Sequence, residues 1–272
     1  MKCEIVELKD IYACVEGGTL SFTGLDDPIG NDEWVRPMVI VIPGGAYRFV
    51  SKREGEPIAA DFLAKGYQVA VLQYLCCEQG AKYPEQLYEL ACAVDYIKKN
   101  AKRLRVNPEE IFLVGFSAGG HLVADYSNEH FSLRERGGVR LETTATAVGL
   151  AYPVIDDHED SFENLLCGYD RREKESIKKQ LDLTRRVNEK TPPTFLWTTA
   201  EDGLVPAQNS LRYALALADG KIPYELHVFP KGGHGMANGS MELNENEIAG
   251  RILSVWTGDM CRFFRSFCRE KY

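Results

Sequence analysis

One stretch of the 272-residue chain has the residue types and order for covalent chemistry, Gly115-Phe116-Ser117-Ala118-Gly119-Gly120. It follows the apolar run Ile111 to Val114 directly and precedes His121 to Tyr126, which reads as a helix. A serine between glycines at a strand-to-helix junction is the G-x-S-x-G nucleophile elbow, a turn so sharp that the serine backbone is strained and nearby side chains would collide. The Ser117 hydroxyl then projects above the carboxyl edge of a sheet, at a helix N-terminus that favours developing negative charge. A glycine-rich helix start would share the pattern, but the apolar strand directly before it favours the nucleophile.

A serine hydroxyl is a poor nucleophile without a base. Of the five histidines, His121 lies one turn beyond Ser117 and fits packing or capping better than proton transfer. His130 and His158 sit in polar surroundings, and His227 alternates within a strand. His234 lies in Lys231-Gly232-Gly233-His234-Gly235, a loop just after the last strand, and is the candidate base. The third member should be a carboxylate between serine and histidine in chain order, at another strand end. Asp202 in Glu201-Asp202-Gly203-Leu204-Val205-Pro206 fits best, with Glu201 its close rival and Asp156 and Asp157 weaker options. An aspartate there could instead cap the helix that begins near Pro206. Acyl transfer also needs donors aimed at the oxyanion. The Ala118 amide supplies one by position, and the loop Pro43-Gly44-Gly45-Ala46-Tyr47 should supply the other.

These residues need a scaffold that gathers strand ends. Residues 37–42 (PMVIVI) form an almost wholly apolar run, as a strand buried on both faces should. Strands are expected at 67–74, 110–116, 144–152, 194–200 and 224–229, separated by helices at 56–65, 84–104, 121–126, 207–219 and 244–269. The alternation implies an α/β fold with a mostly parallel sheet. Before Arg36 the chain reads as leading strands with turns at Gly17-Gly18 and Asp26-Asp27-Pro28. In the last helix Ile248, Ile252, Val255, Trp256, Met260, Phe263, Phe264 and Phe267 recur at helical spacing and read as a core stripe. Residues 155–193 look like an insertion between two strands, helical in period through Leu181, that folds as a small cap. A single domain, 1–272, is the expected organisation.

Composition narrows the partners. Acidic residues outnumber basic ones 40 to 32, a net charge of −8 with no basic block, which argues against nucleic acid and membrane surfaces as partners. No run approaches the ~18 apolar residues of a membrane span. The first ten residues lack a signal peptide's apolar core, so a cytoplasmic location is expected. The eight cysteines lack metal-ligand spacing and read as mostly buried thiols, so no metal or cofactor is expected. A homodimer is an assembly left open.

With these residues in this order, the chain resembles the α/β-hydrolase superfamily, in particular the small acetyl esterase/lipase branch related to hormone-sensitive lipase and to acetylxylan esterase-like proteins. The resemblance runs from about Val35 to Phe267 and rests on Pro43 to Tyr47, Tyr83-Pro84, Gly115 to Gly120, Thr191-Pro192-Pro193, Asp202 to Pro206 and Gly232 to Gly235. It implies Ser117 as nucleophile, Asp202 as acid, His234 as base, and oxyanion amides at Gly45, Ala46 and Ala118. The sequence departs from the family pattern at three places. Pro43 and Ala46 stand where the oxyanion loop usually has histidine and a third glycine, Leu75 and Glu89 replace an Arg–Asp ion pair, and Cys76-Cys77 replace polar loop residues. The expected function is a serine carboxylic ester hydrolase for short acyl groups, such as acetyl groups on sugars, with a small-molecule ester as its partner. The candidate substrate-binding residues are Tyr47 and Phe116, bulky and beside the nucleophile, and Tyr152, and the cap with Arg48 and Cys76-Cys77 is expected to supply recognition. A prolyl-oligopeptidase-like peptidase shares the elbow and the Asp-x-x-Val-Pro turn. A catalytically silent binding protein on the same fold is the alternative from another class.

Overall fold

The computed structural model describes residues 1–31, 33–156, 158–244, 250 and 253–268. In chain order its elements are β1 (Lys2–Glu7), β2 (Thr19–Gly24), β3 (Arg36–Ile42), α1 (Glu56–Ala64), β4 (Gln68–Gln73), α2 (Glu85–Lys99), α3 (Ala101–Leu104) and β5 (Val106–Phe116). They continue with α4 (Ala118–Glu129), the short pair β6 (Glu135–Arg136) and β7 (Val139–Arg140), β8 (Ala147–Ala151), α5 (Glu159–Leu165) and α6 (Arg171–Lys178). The last are β9 (Thr194–Thr199), α7 (Gln208–Asp219), β10 (Tyr224–Phe229) and α8 (Trp256–Arg265).

Among the described residues the main sheet has eight strands in the order β1-β2-β4-β3-β5-β8-β9-β10. β1 pairs antiparallel with β2 and β2 antiparallel with β4, and every later pairing in this sheet is parallel. Strand alternation splits the core into two layers. Met38, Ile40, Ile42, Ile111 and Leu113 face one layer, completed by α2, α4 and α7. Val39, Val41, Phe112 and Val114 face the other, with Ile58 and Phe62 of α1 and Trp256, Met260 and Phe264 of α8. Both faces are therefore covered, as a parallel sheet requires.

The expected strands and helices are present with shifted ends. The helix expected over 84–104 is divided, because α2 closes at Asn100 and α3 adds one more turn before Arg105 leaves it at φ 56°. The strand expected from 110 begins at Val106, with a shift of register against β3 between Arg36 and Met38. The last helix is observed from Trp256, and Val255 is exposed rather than part of the core stripe. Ile248 and Ile252 of that stripe lie outside the described residues, as does Asp157 of the acid cluster.

Between β8 and β9 the cap segment forms two short helices rather than one. Gly168, at φ 79°, separates them, and Asp170 then opens α6 with a reciprocal cap to Glu173. Phe162, Leu165 and Leu166 are buried and belong to the same apolar layer as α2 and α4.

Candidate active site

The elbow is built as steric logic demands. Ser117 sits at φ 50°, ψ −116°, between the end of β5 and the start of α4. A Cβ on Gly115 would strike the backbone of Gly119, and one on Gly119 would strike the carbonyls of Ile42 and Pro43. The glycines thus let nucleophile strand, nucleophile helix and β3 loop approach one another.

His234 and Asp202 arrive from neighbouring strand ends. His234 Nε2 lies 2.8 Å from Ser117 Oγ, and His234 Nδ1 lies 2.7 Å from Asp202 Oδ2. A carboxylate only accepts, so Nδ1 carries the proton and Nε2 is free to accept from the serine hydroxyl. The other Asp202 oxygen accepts from the amides of Leu204 and Val205 at 3.0 and 2.9 Å, which fixes the carboxylate at the start of its loop. Its side chain is buried, whereas Glu201 is exposed and bound to Lys231 and the Gly232 amide. Of the two carboxylates, Asp202 is the one within reach of the histidine. Asp156 is instead paired with Arg212 at 2.5 Å.

The other histidines are occupied elsewhere. His130 bonds to the Ser127 carbonyl, His158 caps α5 and reaches the Leu204 carbonyl, and His227 pairs with Glu225. His121 is fully buried, and burial pushes its pKa down to about 3, so it is neutral. Its Nδ1 is hydrogen-bonded to the Tyr47 hydroxyl at 2.8 Å.

The loop after β3 takes an uncommon backbone, with Gly45, Ala46 and Tyr47 at φ 122°, 52° and 56°. Non-glycine residues hold such angles only when their surroundings impose them. Here the Cys77 amide donates to the Tyr47 carbonyl at 2.9 Å, Asn164 of the cap donates to the Ala46 carbonyl at 3.0 Å, and the Gly44 amide donates to Glu54 at 2.9 Å. The amides of Gly45 and Ala46 donate to no protein acceptor among the described residues. Gly44 packs against the nucleophile, because a Cβ there would lie 2.9 Å from Ser117 Cβ.

The side chains expected to touch substrate are placed differently. Tyr47 and Tyr152 are 1% exposed and Phe116 is wholly buried. Tyr47 is turned to His121, Phe116 packs on Trp256 and Tyr152, and the Tyr152 hydroxyl is held by Glu54. All three are supporting walls rather than lining, since burial leaves no side-chain surface for a ligand. Cys76 is likewise buried, with its thiol pushed up to about 12 by desolvation, so it does not line an entrance. Arg48 is exposed and pairs with Glu78. Glu89 does not form an ion pair with Leu75's neighbours but accepts from the Leu75 amide at 2.8 Å. Neither Glu54 nor Asn164 carries a sequence signal, and Glu54 stands among charged neighbours in the run Ser51 to Glu56.

Residues 28–217 match the model of the BD-FAE family. The chain is 33% identical over 236 residues to endo-1,4-beta-xylanase B of Butyrivibrio fibrisolvens, an alignment covering 84% of this chain and 35% of that protein. It spans less than half the length of each of the curated relatives it matches. Among solved structures, the carboxylesterase Cest-2923 of Lactobacillus plantarum superposes with a TM-score of 0.84 at 25% identity, with 100% of both chains covered. An acetyl ester-xyloside bifunctional hydrolase of Caldicellulosiruptor lactoaceticus gives 0.76 at 30% identity, covering 94% of this chain and 96% of that one.

Proposed function

Because the chain belongs to the BD-FAE family, within the α/β-hydrolases, we propose that it is a serine hydrolase of carboxylic esters with short acyl groups, acetyl above all. The observation that carries this reading is the hydrogen-bonded line from Ser117 Oγ through His234 to Asp202.

In the reaction Ser117 Oγ attacks the ester carbonyl while His234 Nε2 takes the hydroxyl proton. The carbonyl oxygen becomes an oxyanion that accepts from the amides of Ala118, Gly45 and Ala46. His234 then returns the proton to the departing alkoxide, and the acyl group stays on Ser117 as an ester. Water, deprotonated by the same histidine, attacks that ester, and the carboxylic acid is released as the acyl–Oγ bond breaks and His234 returns the proton to Ser117 Oγ. Asp202 keeps the imidazole in the tautomer that accepts at Nε2 and stabilises the imidazolium.

The acetyl preference is supported by cap helix α5, whose buried Phe162 packs edge-on against His121 in α4. A carbohydrate alcohol is supported by the acetyl ester-xyloside hydrolase to which the chain is similar. The test is hydrolysis of p-nitrophenyl acetate and octanoate, beside acetylated xylo-oligosaccharides, by the wild type and by Ser117→Ala. The expected result is faster turnover of acetate than of octanoate, and a loss of roughly 10⁴-fold or more in the variant. Equal rates in the two proteins would remove Ser117 from the mechanism.

A further inference from the structure

Glu54 is a charged residue folded into the interior. The exposed Lys52 and Arg53 precede it in a single tight turn that rotates its side chain inward, where it is 4% exposed. Its two carboxylate oxygens have separate partners. Oε2 accepts from the Gly44 amide at 2.9 Å, and Oε1 accepts from the Tyr152 hydroxyl at 2.7 Å. That hydroxyl in turn accepts from the Ala237 amide at 3.0 Å.

The two ends of this chain of bonds are the two loops the chemistry needs. Gly44 begins the oxyanion loop and touches Ser117, and Ala237 lies three residues beyond His234 on the loop that carries the base. Ala237 is held at φ 50°, and its carbonyl accepts from Trp256 Nε1 at 3.0 Å, so the loop is pinned there on both sides. Tyr152 is itself at φ 37°, with its ring edge-on to His234 at 5.0 Å. From this we infer that Glu54 is a positioning residue that sets the oxyanion amides and the base at a fixed spacing, acting through Gly44 on one side and Tyr152–Ala237 on the other. The inference rests on the serine esterase reading.

A carboxylate suits the task for a definite reason. Two donors converge on one side chain, and a carboxylate, with two acceptor oxygens, takes both without reversing the Tyr152 hydroxyl. Glutamine keeps one oxygen for the Gly44 amide, and its NH₂ must donate to the Tyr152 hydroxyl. That reverses the bond, leaves the phenol hydrogen without its acceptor and loosens the Tyr152 side.

The experiment compares Glu54→Gln, Tyr152→Phe and the double variant in steady-state hydrolysis of p-nitrophenyl acetate, with Tm by circular dichroism. Glu54→Gln is expected to lower kcat by roughly 10- to 100-fold, the scale of a small misplacement of reacting groups, with KM changed by less than about threefold. Tyr152→Phe keeps the packing and should show a smaller loss of the same kind. The double variant should be no slower than Glu54→Gln, because both changes cut one chain of bonds. A merely structural Glu54 would lower Tm and leave kcat of the folded protein intact, and that result overturns the inference. Multiplying losses in the double variant overturn it too. Should Glu54→Gln fail to fold, the kcat of Tyr152→Phe decides. A wild type without esterase activity would sink the esterase reading and this inference together. Full kcat in both variants of an active wild type would sink this one alone.

Discussion

Gly44 shows how tightly single residues are constrained around Ser117. An added Cβ would lie 2.8 Å from the Phe116 carbonyl and 2.9 Å from both Ser117 Cβ and the Glu54 carboxylate. None of these is the free end of a flexible side chain, so the loop itself must shift. Gly44→Ala should lower stability by about 1–3 kcal/mol and kcat by roughly tenfold or more. Gly203, beside Asp202, has open space where its Cβ would be, and Gly203→Ala is the control that should leave both nearly unchanged. Thermal melts and acetate hydrolysis on the two variants check this, and wild-type kcat in Gly44→Ala would refute the steric argument. That Ser117, His234 and Asp202 come together could be read from residue type, order and strand-end placement. Glu54 could not, because nothing in Ser51 to Glu56 distinguishes a glutamate turned inward by one tight turn from its exposed neighbours.

Among the elements, the segment between β8 and β9 differs most in form from its helical sequence period. Its sequence has a helical period, but Gly168 and the capping aspartate Asp170 divide that period into two short helices. The segment is tied down along its length. Tyr169 donates to the Tyr83 carbonyl at 2.7 Å, and Arg186 pairs with Asp125 and Glu129 of the nucleophile helix at 2.6 and 2.8 Å. Asn164 reaches the oxyanion loop directly. Phe162→Ala therefore opens a hole behind His121 rather than clearing a surface. It is expected to cost about 3–5 kcal/mol of stability and to raise the ratio of octanoate to acetate hydrolysis. An unchanged ratio in a folded variant would show that the cap only covers. Strands such as 37–42 were legible because burial on both faces leaves an apolar run, whereas the breaks between α2 and α3 and within the cap depend on local backbone angles that periodicity does not carry.

For the molecule as a whole, two buried titratable groups shape the response to pH. Glu89 in α2 is wholly buried, and desolvation raises its carboxyl from 4.5 to about 8. Between those values the fold keeps a proton that the unfolded chain has lost, so this group makes stability fall as pH rises from about 4.5 to about 8. His121 acts in the opposite sense. The unfolded chain takes up a proton below 6.5 that the fold refuses until about 3, so stability falls as pH drops through that window. Above pH 6.5 only the Glu89 slope remains of the two. Glu89→Gln, which mimics the protonated acid, should thus gain Tm relative to the wild type between pH 5 and 8.5, by roughly 3 °C or more. A difference in Tm independent of pH would contradict the assignment.

The position of the cap in the chain has one more consequence. It leaves β8 and returns to β9, which are adjacent parallel strands with Val148 opposite Thr194. Adjacent parallel strands cannot be joined by a tight turn, since the chain must travel back the full length of the sheet. Residues 155–193 are that return path, and Asn164 within it reaches the loop after β3. A lid hung on a hairpin could be deleted in one step, but this one can be rewritten residue by residue and never excised. Any new packing against the loop after β3 must therefore arise here by exchange of side chains on a retained connection.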